Sequence, residues 1–477
     1  MCKLRISEEL IQYAEDYPRD NSDYEWELYR YSIWPAAVTI SDYPQIFSFK
    51  CIGIFSAFAA TVVGLTFLCR NQLIAWTFCM IALLKMIQYI NFSAELTVFY
   101  REYNFYLYGI IKILNYCIYL SRNPDKPLTA ETLQRCLQYL FYPPYSMLLI
   151  VLYEDFDTQI TNVENGRNPP FSFKYKSFKI IMQILTSLVI QKNKNDYFRK
   201  AAFGCIRLFF WFYAFEFILH FIYVIYFFED THGMIREFSP YEIVSIAYVR
   251  GELFHIKYVV IFGVNAWLAS LDGMTPPQKP ICISRVSRYS NMWKMFDRGL
   301  YQFLKNQVYL PLGGKKDSKY FWCRRFLALI GVFSFVLAWH GPISPYIYWV
   351  TLSAIELCIE ALGKSINKTE AWKKFSDKVG PQNQRRIVSI AMLTTVTPGI
   401  FGVFFFLGNK GSGLVIFEET FVKAMKDVAN FNFTIFPQLS RGTILFHMLF
   451  LNFIFSNVCL ELDETLRPKI DKQAKLE

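Results

Sequence analysis

The chain has 477 residues, of which 53% are hydrophobic, 18% aromatic and only 19% charged, with a formal net charge of +11. Ordinary soluble domains carry about 25% charged residues, and a soluble chain of this length would divide into about three domains. Low charge and repeated apolar runs exclude that reading. The surplus cations sit in segments between apolar runs, so they do not indicate nucleic-acid binding.

Residues 1–44 come first. Glu8, Glu9, Glu15, Asp16, Arg19 and Asp20 mix with apolar types, and no apolar core of a cleavable signal occurs. This stretch reads as a cytoplasmic or interfacial lead-in. A membrane helix needs about 20 mostly apolar residues. Runs at 45–69, 73–89, 105–120, 136–153, 203–228, 254–271, 326–339, 346–362, 387–407 and 444–460 approach that length. Pro143 and Pro144 predict a kink or break in the fourth. The run at 180–190 is too short to cross and reads as interfacial or re-entrant. The expected fold is therefore all-α and polytopic: about ten spans at 45–462, then a polar tail at 463–477.

Lys and Arg cluster at 174–179, 192–200, 279–325 and 364–386. Such loops usually face the cytoplasm and suit anionic headgroups. Eleven Cys show no Cys-x-x-Cys pair and no zinc-finger spacing. Asn91, Asn367 and Asn432 match the glycosylation sequon, but the first abuts a membrane run and the second lies in a basic loop.

One stretch, 282–314, breaks the membrane pattern. Trp293, Phe296, Leu300, Phe303 and Leu304 recur at helical spacing, with Lys294, Asp297, Arg298 and Lys305 interleaved. A charge at the bilayer centre costs at least about 2.5–3.5 kcal/mol, so this segment must lie in the interface or re-enter a protein-lined cavity. Pro311, Gly313 and Gly314 end it.

His340 closes the run 326–339 and precedes Gly341 and Pro342. An imidazole at membrane depth is a site hypothesis and a natural general base; an interfacial histidine is the plainer alternative. His220, His232, His255 and His447 read as structural, His255 as an i,i+3 neighbour of Glu252. No nucleophile elbow, phosphate-cradling glycine loop or His-Glu-x-x-His occurs.

The run Met-Trp-Lys-Met-Phe-Asp-Arg-Gly-Leu-Tyr-Gln-Phe-Leu at 292–304, Val-Tyr-Leu-Pro-Leu-Gly-Gly at 308–314 and Trp339-His340-Gly341 resembles the membrane-bound O-acyltransferase superfamily. Within it the chain is most similar to the hedgehog-acyltransferase branch, which palmitoylates N-terminal cysteines of secreted signalling proteins. The specific match covers roughly 277–342. The resemblance implies that His340 is the superfamily histidine and Asp297 its partner position, Asn in most branches. It implies that Trp293 gates an acyl tunnel and that Tyr309 and Trp339 line the reaction chamber. Asn409 falls loosely on a donor-contacting asparagine. Cys282 falls where the branch has a haem-ligating cysteine, haem b being the cofactor implied; an ordinary cysteine is the alternative.

Fatty acyl-CoA is the expected donor. Each buried CH2 contributes about 0.8 kcal/mol, so a long acyl chain belongs in a membrane tunnel, with Lys279, Arg285, Arg288 and Lys294 as cations for the coenzyme's phosphates. A secretory protein is the expected acceptor, met in the endoplasmic reticulum membrane. A lipid acceptor, or a non-catalytic acyl-binding regulator, is the alternative.

Overall fold

The computed structural model describes residues 8–39, 49–90, 92–127, 129–167, 196–229, 238–313, 320–408, 411–432 and 440–473. Their regular structure is entirely helical. Seven helices are long and apolar enough to cross a membrane: Phe49–Cys69, Ala201–Leu219, Pro240–Leu271, Phe321–His340, Ser344–Ile366, Glu370–Leu407 and Arg441–Thr465. A shorter apolar helix covers Gln72–Met86. Each span buries one face. Phe49–Cys69 buries Cys51, Phe55, Ala59, Val62 and Thr66 at helical spacing, while Phe446, Phe450, Leu451 and Ile454 of the last span stay exposed. Outward apolar stripes on several helices are what lipid contact requires.

Three expected spans differ. The run at 105–120 lies in a 27-residue helix, Leu96–Arg122, that buries Glu102, Asn104, Lys112 and Asn115 along with its apolar residues. These polar groups suit a helix enclosed by protein. Lys112 donates to the carbonyls of Tyr139 and Leu140 at 2.7 and 3.1 Å, satisfying the last turn of Ala130–Phe141. The run at 136–153 is not one helix. Ala130–Phe141 ends before Pro143, a short turn follows, and buried non-helical backbone runs on through Leu152. Polar side chains replace the lost helical bonds: Tyr139 donates to Val151 O at 2.8 Å and Asn265 to Met147 O at 3.1 Å. The run at 203–228 breaks after Leu219 and resumes at Val224–Glu229. Asp20 holds that break, accepting from the Ile225 and Tyr226 amides. The expected segment at 180–190 lies outside the described residues.

The early residues pack inward. Trp26, Tyr29 and Ile33 are fully buried. Asp23 accepts from Lys257 at 3.0 Å and lies 3.5 Å from Arg250, and Lys257 also meets Glu25 at 2.8 Å. Burial alone would raise the Asp23 carboxyl; Lys257 and then Arg250 hold it below its ordinary value. The basic stretch at 364–386 is mostly helical. Glu370–Leu407 carries one break, at Gly380 with φ 78°, just before Pro381. Only glycine adopts that conformation cheaply.

The segment at 282–314 splits into short pieces: a 3-10 turn at Ile283–Arg285, helices Tyr289–Met295 and Arg298–Phe303, and a π-helix at Leu304–Tyr309. None is a candidate span. Gly299 lets it dock, because a Cβ there would lie 2.1 Å from the Ile150 carbonyl oxygen.

Candidate functional site

His340 is the last residue of Phe321–His340, and Gly341 stops the helix at φ 96°. A Cβ at Gly341 would meet nothing within 4 Å, so the space beside that backbone is open. Three aromatic rings surround the histidine ring edge to face: Phe406 at 5.2 Å, Trp349 at 5.3 Å and Tyr346 at 5.8 Å. Aromatic walls leave both ring nitrogens unclaimed by carboxylates, and no ion pair to His340 forms among the described residues.

Trp349 also stacks on Trp293, with centroids 5.4 Å apart and planes at 19°. Trp293 sits one turn before Asp297. A second route runs from His340 to Phe406, on to Phe254 at 5.7 Å, and to Phe296, which stacks on Phe254 at 5.4 Å and 5°. A third joins their neighbours: Trp339 packs on Tyr108 at 5.0 Å, and Tyr108 feels the Asp297 charge. The two segments that carry the imidazole and the carboxylate are thus bridged by rings.

Asp297 caps Arg298–Phe303, accepting from Leu300 N at 2.9 Å. It makes no ion pair with Lys294 among the described residues. It lies outside the seven spans, and burial raises its carboxyl to about 6, against the lowering effect of the Leu300 and Gly299 amides. The cap therefore fixes the carboxylate's position, and burial brings its titration close to neutrality.

Lys294 is half-buried. Burial and the charges of Lys364, Lys305 and Arg298 hold its ammonium below the ordinary value, while Glu360 opposes them. Lys294 thus lies in the field of three other cations, of which Lys364 is already paired with Glu360 at 3.4 Å, and net positive charge there favours an anion. Tyr309 stands apart from His340: its ring lies under Arg325 at 5.0 Å, near the opposite end of the helix that His340 closes. Asn409 and the Arg285 side chain lie outside the described residues. Cys282, half-buried, begins the 3-10 turn and lies beside Glu252 and His255.

Trp349, Tyr346 and Phe406 were not picked out from sequence, because aromatic residues in apolar runs read as lipid contacts. Glu356 was also missed. It is fully buried in Ser344–Ile366, and a carboxylate inside an apolar run was the available signal. A cavity of about 370 Å³ lined by Arg385, Arg386, Asn457 and Glu461 lies elsewhere. Its Arg385 is already paired with Glu461 and Glu464, and none of the residues above lines it.

The membrane-bound O-acyltransferase family model matches residues 53–394. Among curated proteins, the chain is 29% identical over 211 residues to protein-cysteine N-palmitoyltransferase Rasp of Drosophila melanogaster, covering 44% of this chain and 42% of that protein. It is 28% identical over 221 residues to protein-cysteine N-palmitoyltransferase HHAT of Mus musculus, covering 46% and 44%. Membrane-bound O-acyltransferase GUP1 of Saccharomyces cerevisiae is 28% identical over 167 residues, covering 34% and 27%. The matched stretch spans less than half the length of each relative.

Proposed function

The chain belongs to the membrane-bound O-acyltransferase family, and from that premise we propose that it moves a long-chain fatty acyl group, palmitoyl by preference, from acyl-CoA to the N-terminal cysteine amine of a secretory, hedgehog-like protein. The observation that carries this reading is the aromatic bridge between His340 and the Asp297 segment. Similarity to two protein-cysteine N-palmitoyltransferases supports the choice of acceptor.

An α-amine has a pKa near 8 and is mostly protonated at neutral pH. His340 takes that proton as general base. The freed nitrogen attacks the thioester carbonyl, an amide bond forms, the carbon–sulfur bond breaks, and coenzyme A leaves as its thiolate, which recovers a proton. Asp297 holds the acceptor or tunes the site. Trp293 gates the acyl chain, Trp339 lines the reaction chamber, and Asn409 contacts the donor. Lys294, with Arg298, Lys305 and Lys364 around it, receives the coenzyme's phosphates. Residues 45–462 form the catalytic body in the endoplasmic reticulum membrane. Gln72–Met86 and Leu96–Arg122 add crossings to the seven spans, and the segment at 282–314 re-enters beside a central tunnel.

The test is transfer of labelled palmitate from coenzyme A to a peptide with a free N-terminal cysteine, by membranes holding the wild-type chain or His340→Ala. Loss of transfer with normal protein level is the expected result. Label moving only to a lysophospholipid in parallel assays would favour the lipid acceptor, and transfer that survives His340→Ala would overturn the mechanism.

A further inference from the structure

Glu252, His255 and Cys282 converge away from His340. A carboxylate oxygen, an imidazole nitrogen and the thiol sulfur lie within 4.8 Å of one another. Glu252 and His255 share one face of Pro240–Leu271 at i,i+3. Cys282 comes back from the connection that follows, and Gly251 sits beneath it, a Cβ there meeting Ile283 Cδ1 at 3.4 Å.

The surroundings are organised as a ligand shell. The Pro280 carbonyl lies by the His255 ring. Its Nε2 is buried and has no hydrogen-bond partner among the described residues, and in the tautomer protonated at Nδ1 it presents a lone pair. Buried acceptors are nearly always satisfied, and this one is not. Ser284 donates to Glu252, and Tyr248 pairs with Ser284 at 2.9 Å. A backbone carbonyl behind the histidine and a hydroxyl behind the carboxylate are the supports that metal ligands use.

A haem does not suit this donor set. Thiolate-ligated haem takes one axial sulfur and needs an apolar slot for a broad ring. Here an imidazole and a carboxylate crowd the same sulfur. We propose instead that Glu252, His255 and Cys282 bind a single compact divalent cation, zinc by ligand chemistry. Thiolate, imidazole and carboxylate all suit zinc, at about 2.3, 2.0 and 2.1 Å, with water as fourth ligand. On binding, Cys282 loses its proton to solvent. At those bond lengths, tetrahedral ligand atoms sit about 3.4–3.6 Å apart, so the cluster closes by roughly 1 Å. The ion ties the connection before Trp293 to a membrane span. That connection already bonds onward, Ile281 N donating to Met295 O at 3.1 Å.

The test uses the full chain purified in detergent, stripped with chelator and returned to zinc alone. Alkylation of Cys282 by maleimide, read by peptide mass spectrometry, should slow about tenfold with zinc and recover with chelator. Elemental analysis should find about one zinc per chain, lost in His255→Ala and in Cys282→Ser. Cys282 alkylation indifferent to zinc would overturn the proposal without any variant. So would a haem absorption band that needs Cys282 and survives His255→Ala. Neither readout depends on acyl transfer, so the site stands or falls apart from the catalytic reading.

Discussion

Trp349 stacks on Trp293 at 5.4 Å while the His340 ring meets it edge to face at 5.3 Å. One side chain thereby sets the distance between the helix that ends in the imidazole and the segment that holds Asp297. Ring pairs of this kind add about 0.5–1.5 kcal/mol each beyond area burial, enough to fix a rotamer.

Trp349→Phe should therefore keep the bundle and loosen the site. A misplacement of about 1 Å costs on the order of 10²-fold in rate. The expected outcome is transfer reduced by about tenfold to a hundredfold, with the thermal midpoint in detergent nearly unchanged. Equal rates for the two proteins would show that Trp349 does not position His340.

Asp297 gives a pH dependence. Its carboxyl rises from 3.8 to about 6 on folding. Between those values the native chain binds more protons than the unfolded one, so this group costs stability as pH rises through the window. If the ionised form is the working one, transfer should climb as pH passes about 6 and flatten above it. Asp297→Asn keeps a capping side chain for Leu300 N and should remove that limb. Initial rates across roughly pH 5 to 8 decide the matter, and an identical profile in both proteins would assign the limb elsewhere.

Gly299 tests the seat of the same segment. A Cβ would sit 2.1 Å from the Ile150 oxygen and 3.0 Å from its carbon, and backbone cannot yield as a side chain can. Gly299→Ala should cost about 1–3 kcal/mol and lower transfer as well, because Asp297 is only two residues away. Melting and rate measured on one preparation should fall together.

The network at Asp23 separates stability from chemistry. Asp23→Asn leaves Lys257 and Arg250 buried with one fewer anion. Breaking a buried pair costs about 3–5 kcal/mol, and the low end applies because Lys257 keeps Glu25 at 2.8 Å. A lower melting midpoint, with normal specific activity in the protein that remains folded, is expected.

Several of these relationships were open to sequence reasoning and others were not. Continuous apolar runs such as 326–339 and 346–362 located helices, since lipid demands length and apolarity, and His340 and Asp297 stood out because charged or polar groups are costly there. The break at 136–153 was signalled by Pro143, but not the buried backbone beyond it, two of whose carbonyls are satisfied by Tyr139 from the preceding helix and Asn265 from a helix distant in sequence. Leu96–Arg122 read as a lipid span because its apolar residues hide Lys112, whose partners lie across a helix contact. The cage at His340 could not be read at all. Any aromatic residue in a span can face lipid, and only packing decided that Trp349 and Phe406 do not.

Glu356 offers the sharpest contrast between stability and use. It is fully exposed to protein and not to solvent, and neither carboxylate oxygen has a hydrogen-bond partner among the described residues. Tyr289, which packs nearby, shares a hydrogen bond with Ser353 at 2.9 Å in which either hydroxyl can donate. On its helix Glu356 lies three residues beyond Ser353 and seven beyond Trp349, so all three share a face. An unsatisfied buried group costs about 1–3 kcal/mol, and Glu356→Met should return that much as a higher melting midpoint. A chain that keeps so costly a group on the face that bears Trp349 gains function from it, so transfer should fall while stability rises. A variant that melts lower would show that the carboxylate is already satisfied, by water or by residues outside those described, and one that melts higher with full activity would make Glu356 a dispensable charge.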